Sequence, residues 1–153
     1  MPIFREGNLF KENGFKLVTT NSCLTKDCRL VMGRGAAKEL KVISPGIDRI
    51  FGKMIRKACG HLGLYGLLIS PPYGIFQVKN NFADKAKLEI ISYSLRLLDF
   101  KARDTDQIIH LNYPGIGNGR LTKEEVRPLL EILPDNVHIW ERKEKTPWLT
   151  HQN

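Results

Sequence analysis

The segment NYPGIGNGRLTKEEV (residues 112–126) carries three glycines at alternate positions, Gly115, Gly117 and Gly119. An apolar run typical of a buried strand leads into it, and a charged run of helix-forming residues ends it. A loop between a strand and a helix N-terminus presents free backbone N–H groups and the positive end of the helix dipole to an anion. The segment therefore indicates an α/β fold with an anion site. A tight turn without a ligand is the alternative, because the GxGxxG spacing and the Walker lysine are both absent.

Predicted strands and helices alternate along the rest of the chain. Strands are expected at residues 15–21, 64–70, 74–80, 107–114 and 136–142. Helices are expected as two short segments within residues 35–60, and at residues 84–102 and 122–133. The third of these has Leu88, Ile91, Leu95 and Leu98 at helical spacing, and the last opens with the capping box Thr122-x-x-Glu125. The second and third strands are expected to form a hairpin around a turn at residues 71–74. This order predicts a single α/β domain of stacked layers over residues 1–153.

Composition narrows the class of protein. The 153 residues, 42% of them hydrophobic, are enough for one buried core. No apolar run approaches the roughly 20 residues of a membrane helix, and no signal peptide is evident. We therefore expect a soluble, cytoplasmic protein without membrane association, with a monomer as the favoured state. The cysteines Cys23, Cys28 and Cys59 have neither disulfide nor zinc spacing, so free thiols are expected, and no metal or cofactor is indicated.

The chain is basic, with a formal net charge of +8 and a pI near 9.5. This surplus favours anionic partners, nucleic acid among them. The basic residues are scattered along the sequence, however, and a merely solvated surface is the alternative. His110 and His138 lie in apolar strands and are expected to be structural, and no Ser-His-Asp arrangement is suggested.

A second glycine-containing loop, VMGRG (residues 31–35), precedes a predicted helix and follows the strand that ends in TTN. Together with EGNLF, TTNS and PGIGNGRL, in this order, it resembles the macrodomains, a family that binds ADP-ribose. The similarity is greatest to the branch that holds terminal ADP-ribose glycohydrolase and the antitoxin macrodomains acting on DNA. The resemblance implies a three-layer α/β/α fold with a central mixed sheet, and ADP-ribose or an ADP-ribosylated substrate as the partner.

By position, the resemblance also implies which residues contact the ligand. Asn8 stands where the family has an acid that reads adenine, and Leu9 follows it with a backbone N–H. Asn21 matches an asparagine facing the distal ribose, whereas Val18 replaces a second one. Two loops would hold the diphosphate and ribose. The implied set is Asn8, Leu9, Thr20, Asn21, Met32, Gly33, Arg34, Gly35, Ala36, Ala37, Gly115, Ile116, Gly117, Asn118, Gly119, Arg120 and Leu121.

Lys79, in FQVKNN, stands where this branch carries a lysine that attacks the anomeric carbon of the distal ribose. Such an amine acts only when deprotonated, so its pKa must be lowered by burial or by nearby cations. An ordinary surface lysine is the alternative. Eukaryotic members add a loop aspartate, whose place is taken here by Gly119, and this absence favours DNA as the carrier of the ADP-ribose. A phosphatase acting on ADP-ribose 1''-phosphate and a non-catalytic ADP-ribose reader are the other functions considered.

Overall fold

Six strands form one sheet in the computed structural model, which describes residues 1–143. In chain order they are β1 (Ile3–Glu6), β2 (Phe15–Thr20), β3 (Leu67–Ser70), β4 (Tyr73–Gln77), β5 (Ile109–Asn112) and β6 (Val137–Glu141). The order across the sheet is β1-β6-β5-β2-β4-β3. All neighbours are parallel except β3, which pairs antiparallel with β4. The sheet is therefore mixed, as the sequence indicates.

Within residues 1–143, four α-helices cover the two faces of the sheet: α1 (Gly35–Ile43), α2 (Ile47–Ala58), α3 (Leu88–Arg103) and α4 (Lys123–Leu130). Side chains of α1 and α2 share one buried cluster with Val18 and Ile75, which point to that face of β2 and β4. Side chains of α3 and α4 share a second cluster with Leu17 and Phe76, the adjacent residues of the same two strands. Successive strand residues point to opposite faces, so one sheet carries two cores. The three-layer α/β/α fold is confirmed.

Five parallel strands end along one edge of the sheet, and this edge positions the site. Their last residues are Glu6, Glu141, Asn112, Thr20 and Gln77. The loops that follow these strands therefore lie side by side. In α/β sheets this carboxyl edge is where ligands bind.

The predicted hairpin is present, although its turn is shorter than expected. Ser70 of β3 pairs directly with Tyr73 of β4, so only Pro71 and Pro72 connect the strands. The prediction that Tyr73 belongs to the turn is wrong, because it pairs with Ser70, while the two prolines lack the N–H that pairing needs. Gly74 pairs with Ile69, as expected of the first residue of the predicted strand 74–80. The edge strand β1 was not predicted at all.

The bounds of the domain stay a prediction, because it was expected to run to residue 153 and residues 144–153 lie outside the described residues. Over residues 1–143, no helix combines the length and the apolar character that crossing a membrane requires.

Candidate functional site

A cavity of about 1170 Å³ opens at the carboxyl edge of the sheet. Every residue implied for ligand contact, together with Lys79, lies in its wall. The short helix Leu9–Lys11 forms one end, the first loop (residues 32–37) and the second loop (residues 115–121) form the long sides, and the segment after β4 forms the remaining wall. Asn8 and Leu121, which are 113 positions apart in the sequence, are thus brought to one cavity.

Asn21 fixes the start of the first loop. Its side chain is 5% exposed, its Oδ1 accepts a hydrogen bond from the Cys23 N–H at 2.8 Å, and its Nδ2 donates to the Val31 carbonyl at 3.1 Å. These bonds tie the end of β2 to the chain that leads into α1. Among residues 1–143, the Val31 carbonyl is the one acceptor found for the two amide hydrogens of Asn21.

The second loop lies on the opposite side of the cavity from the first loop. A short 3-10 helix, Gly117–Gly119, is closed by Arg120 in a left-handed conformation with φ of 63°, and the Leu121 N–H bonds back to the Gly115 carbonyl at 2.9 Å. An ideal Cβ at Gly35 would lie 3.5 Å from the Asn118 amide nitrogen. The two loops therefore approach each other closely, as holding one diphosphate requires.

Lys79 lies in the cavity wall, next to the second loop. Its side chain is 8% exposed, and Nζ donates to the Asp84 carbonyl at 3.1 Å and to the Asn118 carbonyl of the second loop at 3.5 Å. Burial is the main cause that lowers the pKa of Lys79, and the guanidinium groups of Arg120 and Arg34 lower the pKa further, against the opposing charge of Asp84. A nucleophilic lysine needs a pKa below its ordinary value, and the pKa of Lys79 is shifted in that direction.

The two carbonyl contacts also orient the amine. A neutral amine has two N–H donors and one lone pair, whereas an ammonium has three donors and no lone pair. Two backbone carbonyls accept from Nζ, so a neutral Lys79 that kept both bonds would have its lone pair directed away from both carbonyls. These contacts are therefore compatible with a deprotonated amine.

Asn8 has a local role that the sequence did not indicate. Its Oδ1 accepts the Phe10 N–H at 2.9 Å and caps the helix Leu9–Lys11. Because a carbonyl oxygen has two lone pairs, a second donor can still be accepted there. Adenine recognition by Asn8 and Leu9 stays a prediction.

The Arg120 side chain is also bonded within the protein. It donates to the Ala83 carbonyl at 3.2 Å, and this bond joins the second loop to the segment after β4.

Asn112, Phe82 and Trp140 line the cavity but were not predicted, because the predicted site was based on the two glycine-containing loops. Asn112, at the end of β5, accepts the Thr19 N–H at 2.9 Å and donates to the Thr19 hydroxyl at 2.8 Å, which locks β5 to β2 beneath the cavity. Phe82 lies in the wall with 55% of its surface exposed. Trp140 of β6 also lines the cavity. Phe82 follows Lys79 by three positions, after two asparagines, and an aromatic residue in that polar segment was the sequence signal that could have identified it.

The Trp140 side chain is held by a buried histidine. Its indole N–H donates to His110 Nδ1 at 2.9 Å, and His110 Nε2 lies 2.8 Å from the Asn13 carbonyl. Indole nitrogen can only donate and a carbonyl can only accept, so His110 is neutral with its hydrogen on Nε2. Burial is the main cause that lowers the pKa of His110, and burial also lowers the pKa of His138, whose ring lies edge-on at 5.4 Å.

Acid is therefore expected to destabilise this protein through His110. Its folded-state pKa lies below the unfolded value of about 6.5, so the unfolded chain binds more protons below that pH. The stability that His110 contributes is complete above about pH 6.5 and declines as pH falls towards the lowered value. We expect the melting temperature to fall between about pH 7 and about pH 5, and to fall less steeply in His110→Gln. Equal pH slopes in the two proteins would exclude His110 as the cause.

Residues 1–143 contain no group of three His, Cys, Asp or Glu side chains able to hold a metal ion. Cys23 is buried, Cys28 is partly buried and Cys59 is exposed, all three with free thiols.

No protein-family model and no curated protein sequence matches the chain. Solved structures do. The macrodomain of Thermus aquaticus DarG matches with a TM-score of 0.69 and 25% identity, over 95% of this chain and 99% of that one. The macrodomain of Mycobacterium tuberculosis DarG matches with a TM-score of 0.71 and 21% identity, over 94% and 99%. Thermosipho africanus DarTG, solved in complex with ADP-ribose, matches with a TM-score of 0.70 and 19% identity, over 94% of this chain and 42% of that one.

Proposed function

We propose that this chain, a macrodomain related to those of DarG, binds ADP-ribose and hydrolytically releases it from a modified substrate, with DNA as the carrier. Adenine would lie at the end formed by Asn8 and Leu9, the diphosphate between the two loops, and the distal ribose beside Lys79. Support for the ligand comes from the fit between two facing backbone loops and a diphosphate, and from the ADP-ribose complex of the structurally similar Thermosipho protein.

The observation that carries the proposal is the placement of Lys79. Burying a lysine amine in a cavity wall is unfavourable unless its charge is removed or paired. Here no carboxylate forms an ion pair with Lys79 among residues 1–143, and its contacts are two backbone carbonyls. A buried, unpaired amine with a lowered pKa is the form in which lysine acts as a nucleophile.

In the proposed reaction, the Lys79 lone pair attacks the anomeric carbon of the distal ribose. The bond from that carbon to the carrier breaks, its electron pair leaves with the carrier, and the proton that the amine releases is taken up by the departing carrier. Water then cleaves the new carbon–nitrogen bond, which frees ADP-ribose and restores the amine. The backbone N–H groups of the loops hold the diphosphate throughout, so the ribose is oriented by groups that take no part in bond cleavage.

DNA is preferred as the carrier on two grounds. Gly119 takes the place of the loop aspartate that eukaryotic relatives use, a substitution shared by the resembling DNA-directed antitoxins. The net charge of +8 also favours a polyanionic substrate over a neutral one.

One experiment separates the functions considered. We expect ADP-ribose to release or absorb heat on titration into the wild-type protein and to raise its melting temperature, because a ligand that binds only the folded state stabilises it. The protein is then incubated in parallel with ADP-ribosylated DNA, ADP-ribosylated protein and ADP-ribose 1''-phosphate. We expect the fastest cleavage with ADP-ribosylated DNA. Binding without turnover of any substrate would indicate a reader. If millimolar ADP-ribose produced no heat on titration and no rise in the melting temperature, the proposal would be refuted.

A further inference from the structure

Seven exposed cations lie on the helical layer formed by α1 and α2, a group called here the α1–α2 cation face. On and beside α1 they fall at spacings of four and three residues, and on α2 at spacings of four, three and one. All are solvent-exposed, and they are Arg34, Lys38, Lys41, Arg49, Lys53, Arg56 and Lys57. Residues three or four apart share one side of a helix, so each helix presents its cations as a stripe.

These cations differ from those of the opposite layer in having no internal partners. Within residues 1–143, none of the seven side chains takes part in an ion pair, a side-chain hydrogen bond or a contact with an aromatic ring. On α3, by contrast, Arg103 pairs with Asp99, and Arg96 and Lys101 lie over aromatic rings. Arg127 of α4 lies 4.0 Å from the Phe4 ring centroid.

The acids that could neutralise this face are engaged elsewhere. Asp48, the only acid of α2, is 8% exposed and bonds the Arg49 backbone N–H. Glu39 of α1 is ion-paired with Arg142. Like charges at helical spacing repel each other and destabilise a helix slightly. A face that keeps them without compensation is suited to an anionic partner supplied from outside.

We propose that the α1–α2 cation face binds the sugar-phosphate backbone of the nucleic acid from which ADP-ribose is removed. This inference rests on the proposed function, because the bound strand is the one whose adduct enters the cavity. Continuity supports it: Arg34 lies in the cavity wall and also at the N-cap of α1, from which Lys38 and Lys41 continue. The α2 stripe from Arg49 to Lys57 is about 12 Å long at 1.5 Å per residue, long enough to contact several successive phosphates of one strand.

An anionic membrane fits this face less well. Basic amphipathic helices that lie on membranes insert their apolar side, but the apolar side of α2 is already packed in the core through Ile47, Phe51 and Ile55. Ile50 and Val42 are exposed beside the cations, although neither belongs to that buried side. Phosphate contact needs only the charged ends of the side chains, which are the part that α2 leaves in solvent.

Two matched variants of the full chain test the inference. The first replaces Arg49, Lys53, Arg56 and Lys57 by glutamine, and the second replaces Arg96, Lys101, Arg103 and Arg127, which removes the same charge from the other layer. Binding of a short, unmodified single-stranded DNA is measured by fluorescence anisotropy between about 50 and 200 mM salt. Affinity for free ADP-ribose and the melting temperature are measured on the same samples.

The first variant is expected to bind DNA at least about tenfold more weakly, and to lower the slope of log affinity against log salt by about 3, or 0.7 for each of four phosphate contacts. The second variant should bind DNA within about twofold of wild type, and ADP-ribose affinity should be equal in all three. Equal losses in both variants, no loss in either, or no binding by wild type would overturn the inference. The inference would also be overturned if the first variant lost binding to phosphatidylserine vesicles while it still bound DNA as tightly as wild type. Because the DNA is unmodified, failure of ADP-ribose binding alone would count against the proposed function instead.

Discussion

Replacing Lys79 by alanine is expected to abolish the release of ADP-ribose from DNA while leaving the affinity for free ADP-ribose within a few fold of wild type. Lys79 is proposed to act on the anomeric carbon, so its interaction is made chiefly in the transition state. The diphosphate and adenine are held by other parts of the cavity, namely the two loops and the helix Leu9–Lys11. A residue with this division of roles lowers kcat and leaves ground-state binding nearly intact.

Initial cleavage rates and calorimetric affinities, measured on the same samples, check this result. Lys79→Met is a second variant, because it keeps an unbranched side chain in the buried position while removing the amine. Lys101→Ala is the matched control: it removes a lysine of α3 that contacts Phe15, away from the cavity wall. Equal rates for wild type and both Lys79 variants would eliminate lysine catalysis. A large loss of ADP-ribose affinity would instead give Lys79 a binding role.

The pH dependence of cleavage gives an independent test of the amine. Only neutral Lys79 can attack, so the rate is expected to rise with pH and level off above the folded-state pKa, which lies below the usual 10.5. Arg120 is the largest charge contribution to that lowering. Arg120→Gln is therefore expected to move the profile to higher pH, whatever it does to substrate binding. A flat profile would show that no group with a lysine-like titration controls the rate.

The fold followed from the sequence wherever an element had its own hydrophobic period. The helical spacing of Leu88, Ile91, Leu95 and Leu98 predicted α3, and the Thr122–Glu125 capping box is present with both of its hydrogen bonds. By contrast, β1 has four residues, only one of them partly buried, and pairs on one side with β6. Its stability comes from that pairing rather than from its own pattern, so a search for buried strands misses it.

The candidate site was less accessible to sequence reasoning, because its parts are joined by tertiary contacts. The two glycine loops were visible as strand-to-helix connections. The orientation of Lys79 was not, since it depends on the Asp84 and Asn118 carbonyls, 5 and 39 positions away. The seven exposed cations of the α1–α2 cation face were likewise read as scattered. Their pattern emerges only when helix bounds show which of them share a face and which acids are already paired.

Gly117→Val is expected to remove ADP-ribose binding, with an affinity loss of at least about 100-fold, or about 2.8 kcal/mol. Gly117 lies in the cavity wall, and a Cβ there meets no protein atom within 4 Å, so the added side chain would project into space that the diphosphate needs. Gly119 is not equivalent, because its Cβ would lie 3.0 Å from Ala86 and press on the protein instead.

The backbone strain of this substitution needs its own control, since Gly117 has φ of +66° and a β-branched residue is disfavoured there. Gly46 supplies it: its φ is +91°, a Cβ there also meets nothing within 4 Å, and it lies at the N-cap of α2, outside the cavity wall. Gly46→Val should therefore lower the melting temperature to a similar degree while binding ADP-ribose as tightly as wild type. Calorimetric titration of the two folded variants separates strain from occlusion. If Gly117→Val retains wild-type affinity, the diphosphate does not lie against the second loop, and the proposed orientation of the ligand is wrong.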